Sequence, residues 1–373
     1  MKKNNEFIPF AKSIYHARQK ALSEKMGSDS IAIVFAAKPS LRTGDTHYPF
    51  RQNSDFYYLT GFEEPNAVAV FITNKNKFDY VLFSQKKELS REQWEGLSVG
   101  QAEAKSIYGA SEAYPIDEID LILPNLLQNR KKIFSFIGEN LAWDQQIFNW
   151  IKLVRTKARS GIEFPTHFHS LTQIVHEMRL IKDSEEIKLM RKAGEISALA
   201  HCQAMQVCRP GMYEYELEAQ LLYEFTRHGC RFPAYPSIIG GGKNACILHY
   251  STNNQILNEG DLVLIDAGGE FCHYASDITR TFPVNGKFTK AQSAIYDLVL
   301  AAQIAGIKQI KPGTSWEKIQ QEIILVLTQG LVDLGVLSGS VDQLINSKAY
   351  FKYYMHNSGH WLGLDTHDVG RYK

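Results

Sequence analysis

The chain has 373 residues, of which 44% are hydrophobic and 22% charged, and Lys+Arg 41 against Asp+Glu 40 leave a formal net charge of +1. This length favours two domains, and the balanced charge argues against nucleic acid or an anionic membrane as a partner. No apolar run approaches the ~20 residues that a membrane-spanning helix needs, and the charged start lacks the apolar stretch of a signal peptide. The odd number of cysteines and the lack of any CxxC spacing are typical of a reducing cytoplasm, which is the predicted location.

The amino-terminal part of the chain alternates between helix and strand patterns. Helices are predicted over Ser13 to Met26 and Trp143 to Val154, and an extended aromatic segment over Thr46 to Gly61, of which the run Phe50 to Tyr58 is expected in the core. Strands are predicted over residues 30–36, 67–72, 79–83 and 132–137. The alternation predicts an α/β domain with a mixed sheet, which we place at residues 1–168.

Helix patterns dominate the rest of the chain, residues 169–373, which we assign to an α+β domain. Asp183 and Glu186 have the spacing of a capping box at the start of a long helix. An amphipathic helix is predicted over residues 213–228, and two more helices are predicted to begin at Thr289 and Thr314.

A candidate metal site lies in residues 261–283, DLVLIDAGGEFCHYASDITRTFP. A short apolar strand closes at Asp266, a Gly-Gly turn follows, and a second extended segment contains Asp277. If the two aspartates pair directly across a hairpin, their Cβ atoms lie roughly 5 Å apart. Carboxylates that close repel unless a proton or cation lies between them, and hard divalent cations prefer such ligands. The alternative is two unrelated aspartates at strand ends, since Asp is common in turns.

A second candidate stretch, MHNSGHWLGLDTHDVG at residues 355–370, contains His356, His360 and His367. Imidazole is a common ligand of transition metals and the usual acid or base near neutral pH. Any one histidine is more often a structural hydrogen-bonding group. Three within a short glycine-containing stretch, on a chain that also has the two aspartates, favour an active site.

These stretches resemble the sequence signatures of the aminopeptidase P family, the Xaa-Pro aminopeptidases. The resemblance rests on ILHYSTNNQILNEGDLVLIDAGGEFCHYASDITRTFPVNGKFT, GHWLGLDTHDVG and FRQNSDFYYLTGFEEPNA, and it extends over nearly the whole chain from Phe10 onward. It implies a catalytic domain of the pita-bread fold. It also implies metal-dependent hydrolysis that releases the amino-terminal residue of a peptide whose second residue is proline.

The resemblance further implies a metal-ligand set. Asp266, Asp277 and His360 would be ligands, with Asp277 bridging two divalent cations. Manganese is the expected metal, and zinc or cobalt are alternatives. Two cations about 3.5 Å apart activate water and polarise a carbonyl, which is the chemistry that peptide hydrolysis needs.

Three further histidines are implied to be catalytic: His249, which would contact substrate near the scissile bond, and His356 and His367. Imidazoles in such positions stabilise a tetrahedral oxyanion and donate a proton to the leaving nitrogen. Trp94 lies in a segment that reaches a neighbouring subunit in related enzymes, although local packing is an equal alternative. We therefore expect proline-containing peptides as substrates and a homo-oligomer, dimer or tetramer.

The family pattern includes two glutamate ligands beyond the HDVG motif, and this sequence ends at Lys373. With these ligands outside the sequence, we expect weak metal binding or low activity, and we expect a segment that supplies the glutamates to restore turnover. The alternatives are a non-catalytic pita-bread protein that lacks a complete metal site, and a prolidase-type dipeptidase with the same metal motif. The metal content of the purified protein distinguishes the enzyme from the non-catalytic protein.

Overall fold

The computed structural model describes residues 10–75 and 77–372 and divides the chain into two compact units, Met1–Ile181 and Lys182–Lys373. The charged residues 1–9 lie outside the described part, so the prediction that they form no signal peptide stays a prediction. No helix within the described ranges is both long and apolar enough to cross a membrane.

The first unit has seven α-helices and eight strands among its described residues. In chain order these are α1 Lys12–Met26, β1 Ser30–Phe35, β2 Leu41–Thr43, β3 Thr46–His47, α2 Ser54–Thr60, β4 Val68–Asn74, β5 Lys77–Ser84, α3 Leu89–Glu95, α4 Gly100–Ser106, β6 Glu112–Pro115, α5 Ile119–Leu126, β7 Lys132–Ser135, α6 Leu141–Arg155, β8 His167–Ser170 and α7 Thr172–Leu180. The predicted domain boundary after residue 168 lies before α7, whereas the division between the two units follows it.

A six-stranded sheet in the order β6-β5-β4-β1-β7-β8 forms the centre of this unit. Strand β4 runs antiparallel to both neighbours, while β6, β7 and β8 pair in parallel, so the sheet is mixed as predicted. Its core side chains are β-branched and aromatic residues that fit a pleated, buried surface, such as Ile31, Val70 and Phe83.

The aromatic segment of the first unit is not extended throughout, as the sequence predicted, because residues 54–60 form helix α2. The side chain of Asn53 accepts a hydrogen bond from the backbone N–H of Phe56, which caps the start of the helix. Gly61, with φ 65°, ends it in the left-handed conformation. The prediction that the aromatic run Phe50 to Tyr58 belongs to the core is confirmed for Phe56, Tyr57 and Tyr58, which are buried, whereas Tyr48 before the run is exposed.

The second unit combines helices with two small three-stranded sheets. In chain order its elements are α8 Ser184–Val207, α9 Glu214–Arg227, β9 Phe232–Pro233, β10 Ile238–Gly241, β11 Leu262–Asp266, β12 Gly269–Phe271, β13 Tyr274–Ala275, β14 Thr279–Pro283, α10 Lys290–Gln309, α11 Trp316–Asp333 and α12 Val341–Asn346. The sheets have the orders β10-β11-β14 and β13-β12-β9. This α+β organisation agrees with the prediction.

Local capping patterns predicted most helix starts in this unit. Asp183 and Glu186 form the expected capping box of α8, and Thr289 caps α10. The fourth predicted helix starts later than expected, because the side chain of Ser315, and not that of Thr314, accepts the N–H of Lys318.

Candidate metal centre and active site

Asp266 stands at the end of β11, the central strand of the β10-β11-β14 sheet, opposite Thr279 on β14. The two aspartates therefore do not pair directly across a hairpin, which was the condition for the short Cβ separation. Gly269 does not simply turn the chain back, because it begins β12, which pairs with β13 and inserts a second small hairpin. Asp277 lies in the irregular segment between β13 and β14.

The two aspartates nevertheless converge on one hydroxyl group. The hydroxyl of Tyr235 donates to Oδ1 of Asp266 at 2.6 Å and lies 3.0 Å from Oδ1 of Asp277. Burial, followed by the charge of Asp277, raises the pKa of Asp266, and the hydrogen bond from Tyr235 offsets this in part. Burial and the two carboxylates raise the pKa of Tyr235, so its hydroxyl stays protonated. The hydroxyl of Tyr235 is thus shared between the two carboxylates, and a side-chain hydrogen bond with Thr279 adds to it at Asp266.

His360 completes the cluster from the carboxyl-terminal stretch. Its Nε2 lies 3.0 Å from Oδ2 of Asp277, and its Nδ1 lies 2.9 Å from the carbonyl oxygen of Trp361. A neutral imidazole has one N–H, and a carbonyl can only accept. Nδ1 therefore carries a proton and donates to Trp361, and Nε2 is the ring nitrogen that faces the carboxylate, as is typical of metal-ligating histidines.

The residue types of this cluster, two carboxylates and an imidazole around Asp277, are ones that divalent cations prefer as ligands. The two oxygens of Asp277 have different neighbours, Tyr235 at Oδ1 and His360 at Oδ2, and Asp266 joins the cluster through the Tyr235 hydroxyl. Among the residues that the structure describes, no group of three or more His, Cys, Asp or Glu side chains has an arrangement that could hold a metal ion.

A buried ion pair fixes the loop that carries His360. Lys182, at the start of the unit, lies 2.7 Å from Oδ2 of Asp368, whose side chain is 1% exposed. The N–H of Asp368 donates to the carbonyl of Trp361, and the carbonyl of Gly363 accepts from the N–H of Ala275 on β13. Lys182 therefore holds the loop at Asp368, and Ala275, two residues before Asp277, holds it at Gly363.

The remaining predicted histidines are all exposed, and only one of them touches the cluster. The ring of His367 packs edge-to-face on that of His360, with 4.5 Å between centroids. His356 contacts the carbonyl of its neighbour Asn357 at 2.6 Å. No hydrogen bond or ring contact among the described residues joins His249 or His356 to the aspartates.

Buried Glu214 anchors the segment that presents His249. One of its carboxylate oxygens accepts from the N–H of Gly241 and the amide of Asn244, and the other accepts from the hydroxyl of Tyr250 and the N–H of Gln255. These contacts lie on both sides of His249. Sequence reasoning missed this role, because Glu214 lies in α9, upstream of the motif that contains His249.

Tyr235 and Lys182 were likewise missed by sequence reasoning. Tyr235 lies in an ordinary Pro-Ala-Tyr-Pro segment, and Lys182 directly precedes a helix cap. Tyr235 lies 31 residues from its partner Asp266, and Lys182 lies 186 residues from its partner Asp368. No local pattern indicates contacts over such separations.

Each of the two units matches a known protein family. Residues 188–373 match the model of metallopeptidase family M24, and residues 15–134 match the aminopeptidase P N-terminal domain. The Xaa-Pro aminopeptidase of Escherichia coli (strain K12) is 45% identical over 96% of this chain and 81% of the relative. The structure of Pseudomonas aeruginosa aminopeptidase PepP superimposes with a TM-score of 0.96 at 49% identity, covering 98% of this chain and 83% of that one. The structure of Zn-substituted E. coli aminopeptidase P in complex with product superimposes with a TM-score of 0.95 at 44% identity, covering 97% of this chain and 82% of that one.

Proposed function

This chain belongs to metallopeptidase family M24, in the branch with an aminopeptidase P amino-terminal domain, and we propose on this premise that Asp266, Asp277 and His360 hold its catalytic metal. It is an enzyme that releases the amino-terminal residue from peptides with proline in second position. Its second unit is the pita-bread catalytic domain. The observation that supports the metal assignment is the convergence of Asp266 and Asp277 on one hydroxyl, with His360 on the other side of Asp277.

Asp277 is proposed as the bridging ligand of two divalent cations, and manganese is proposed as the metal. Support comes from its two carboxylate oxygens, which face different neighbours. Oxygen ligands suit hard cations such as Mn²⁺, while the imidazole of His360 also accepts zinc or cobalt. Bound divalent metal supplies the Lewis acidity that activates water and polarises the scissile carbonyl.

The residues of this chain orient the ligands and handle protons. The carbonyl of Trp361 keeps the proton of His360 on Nδ1, and Tyr235 separates the two carboxylates. His249, His356 and His367 are exposed and thus accessible to a bound peptide. We assign them to substrate contact, to stabilising the oxyanion and to protonating the leaving proline nitrogen.

A homo-oligomer, dimer or tetramer, is proposed together with this function. Helix α3 exposes Leu89 and Trp94 to 84% and 90%, and Leu97 just after it to 69%. Exposed apolar groups clustered on one short segment are typical of an interaction surface. A cytoplasmic location stays a prediction from cysteine usage.

Hydrolysis of matched peptides tests the proposed function. The protein, with manganese added, is incubated with Ala-Pro-Ala, Ala-Ala-Ala and the dipeptide Ala-Pro, and released alanine is measured. We expect release from Ala-Pro-Ala alone, abolished by a chelator and by Asp277→Ala. Cleavage restricted to Ala-Pro would indicate a prolidase-type dipeptidase. Absence of both manganese binding and cleavage would support the non-catalytic alternative.

A further inference from the structure

Two side chains one turn apart on α8, Ser197 and His201, contact the backbone next to both aspartates of the metal site. Both are buried, at 0% and 2% exposure. Residues four apart lie on the same face of a helix, so both point to the same side of α8. Neither belongs to the ligand set or to the three proposed catalytic histidines.

His201 holds the segment that follows Asp266. Its Nε2 lies 3.0 Å from the carbonyl oxygen of Ala267. Burial lowers the pKa of His201, and the carbonyls of Ala267 and Ile278 offset this only in part. The N–H of Ala267 in turn donates to the carbonyl of Ile278, the residue after Asp277. One imidazole therefore faces the backbone neighbours of both aspartates.

Ser197 holds the segment that precedes Asp277. Its Oγ accepts from the N–H of Gly269 at 2.9 Å and lies 2.6 Å from Oγ of Ser276. The hydroxyl of Ser276 donates to the carbonyl of Gly269 at 3.0 Å. Because a hydroxyl has one proton, Ser276 accepts from Ser197, and the direction of every bond in this ring is fixed.

The two aspartate-bearing segments touch where this ring lies. A Cβ placed on Gly268 would lie 1.7 Å from the carbonyl oxygen of Ser276, closer than any contact permits. The backbones therefore pass each other without room for a side chain between them. The distance between the two segments is therefore set by this backbone contact and by the residues that hold each segment. Ser197 and His201 of α8 are two such residues.

We propose that Ser197 and His201 are positioning residues that fix the spacing of Asp266 and Asp277 and thereby set the metal affinity of the site. The proposal rests on the proposed function, in which these aspartates are metal ligands. Side chains that orient metal ligands typically change affinity 10–100-fold when removed. Here the orienting contacts pass through Ala267, which follows Asp266, and through Ser276 and Ile278, which flank Asp277.

Metal affinity of four variants tests the proposal. Ser197→Ala removes one oxygen, His201→Leu removes the donor to Ala267, and His201→Gln keeps an N–H donor at the position of Nε2. We expect Ser197→Ala and His201→Leu to raise the Mn²⁺ dissociation constant about 10–100-fold and to alter the absorption spectrum of bound Co²⁺. His201→Gln should have a Mn²⁺ dissociation constant and a Co²⁺ spectrum closer to those of the unmodified protein. Ser30→Ala is the matched control, since Ser30 is equally buried and bonds to backbone carbonyls of the first unit.

Unchanged Mn²⁺ affinity and an unchanged Co²⁺ spectrum in Ser197→Ala and His201→Leu would overturn the proposal. If His201→Leu does not fold, Ser197→Ala decides alone, because it deletes a single atom. Asp277→Ala is measured alongside. If Asp277→Ala retains metal, the ligand assignment itself is wrong, whereas loss of metal from Asp277→Ala with unchanged Ser197 and His201 variants refutes only the positioning role.

Discussion

Asp277 and His360, 83 residues apart in the chain, meet with 3.0 Å between Oδ2 and Nε2. The other oxygen of Asp277 faces Tyr235 instead. A carboxylate placed between two groups in this way can serve two cations at once. The histidines at the exposed edge of the site have no such position.

Asp277→Ala should therefore remove the catalytic metal more completely than His249→Ala. Loss of the carboxylate takes a ligand from both proposed cations, whereas His249 is exposed and proposed to contact substrate. Elemental analysis of the purified variants measures this directly. Equal metal retention would contradict the assignment of Asp277 as the bridging ligand.

Tyr235→Phe should destabilise the metal-free protein. The change removes the one proton placed between Asp266 and Asp277, and hydrogen bonds to charged groups contribute about 1.5–3 kcal/mol. The free energy of unfolding is measured by urea titration in the presence of a chelator. Tyr80→Phe is the matched control, because the buried Tyr80 hydroxyl has no hydrogen-bond partner among the described residues. Equal effects of the two substitutions would contradict the bridging role.

His201 should make the protein sensitive to mild acid. Burial lowers its pKa below the ordinary 6.5, so the unfolded chain binds a proton that the folded one does not. Between the lowered folded value and 6.5, stability then falls as pH falls. We expect the free energy of unfolding in a chelator to decline below pH 6.5, and His201→Gln to reduce that decline. Identical pH profiles of the two proteins would show that His201 contributes nothing to it.

Leu89→Asp should shift the proposed oligomer toward monomer. A charge on a side chain that is 84% exposed costs little in a monomer but opposes burial at an apolar interface. Sedimentation at micromolar concentration measures the shift. Leu121→Asp is the matched control, because Leu121 is 73% exposed on a different helix, α5. A purely monomeric unmodified protein would contradict the oligomer.

Sequence patterns predicted much of the fold because they depend on near neighbours. The capping box of Asp183 and Glu186 is a contact within one helical turn, and it forms as expected. The extended reading of the Ser54–Thr60 region failed, because aromatic composition favoured a strand while Asn53 and Gly61 supplied the caps of a helix. A prediction based on aromatic composition alone therefore missed the two capping residues that make this segment a helix.

By itself, the sequence determined which residue types are available for metal chemistry, because Asp266, Asp277 and His360 stand in recognisable local motifs. Only the tertiary structure decided how they meet. The pairing of Asp266 with Thr279, the hydroxyl of Tyr235 between the carboxylates and the support from Ser197 and His201 all join segments far apart in the chain. Such contacts depend on backbone paths, such as the close passage of Gly268 by Ser276, and periodicity and spacing carry no information about those paths.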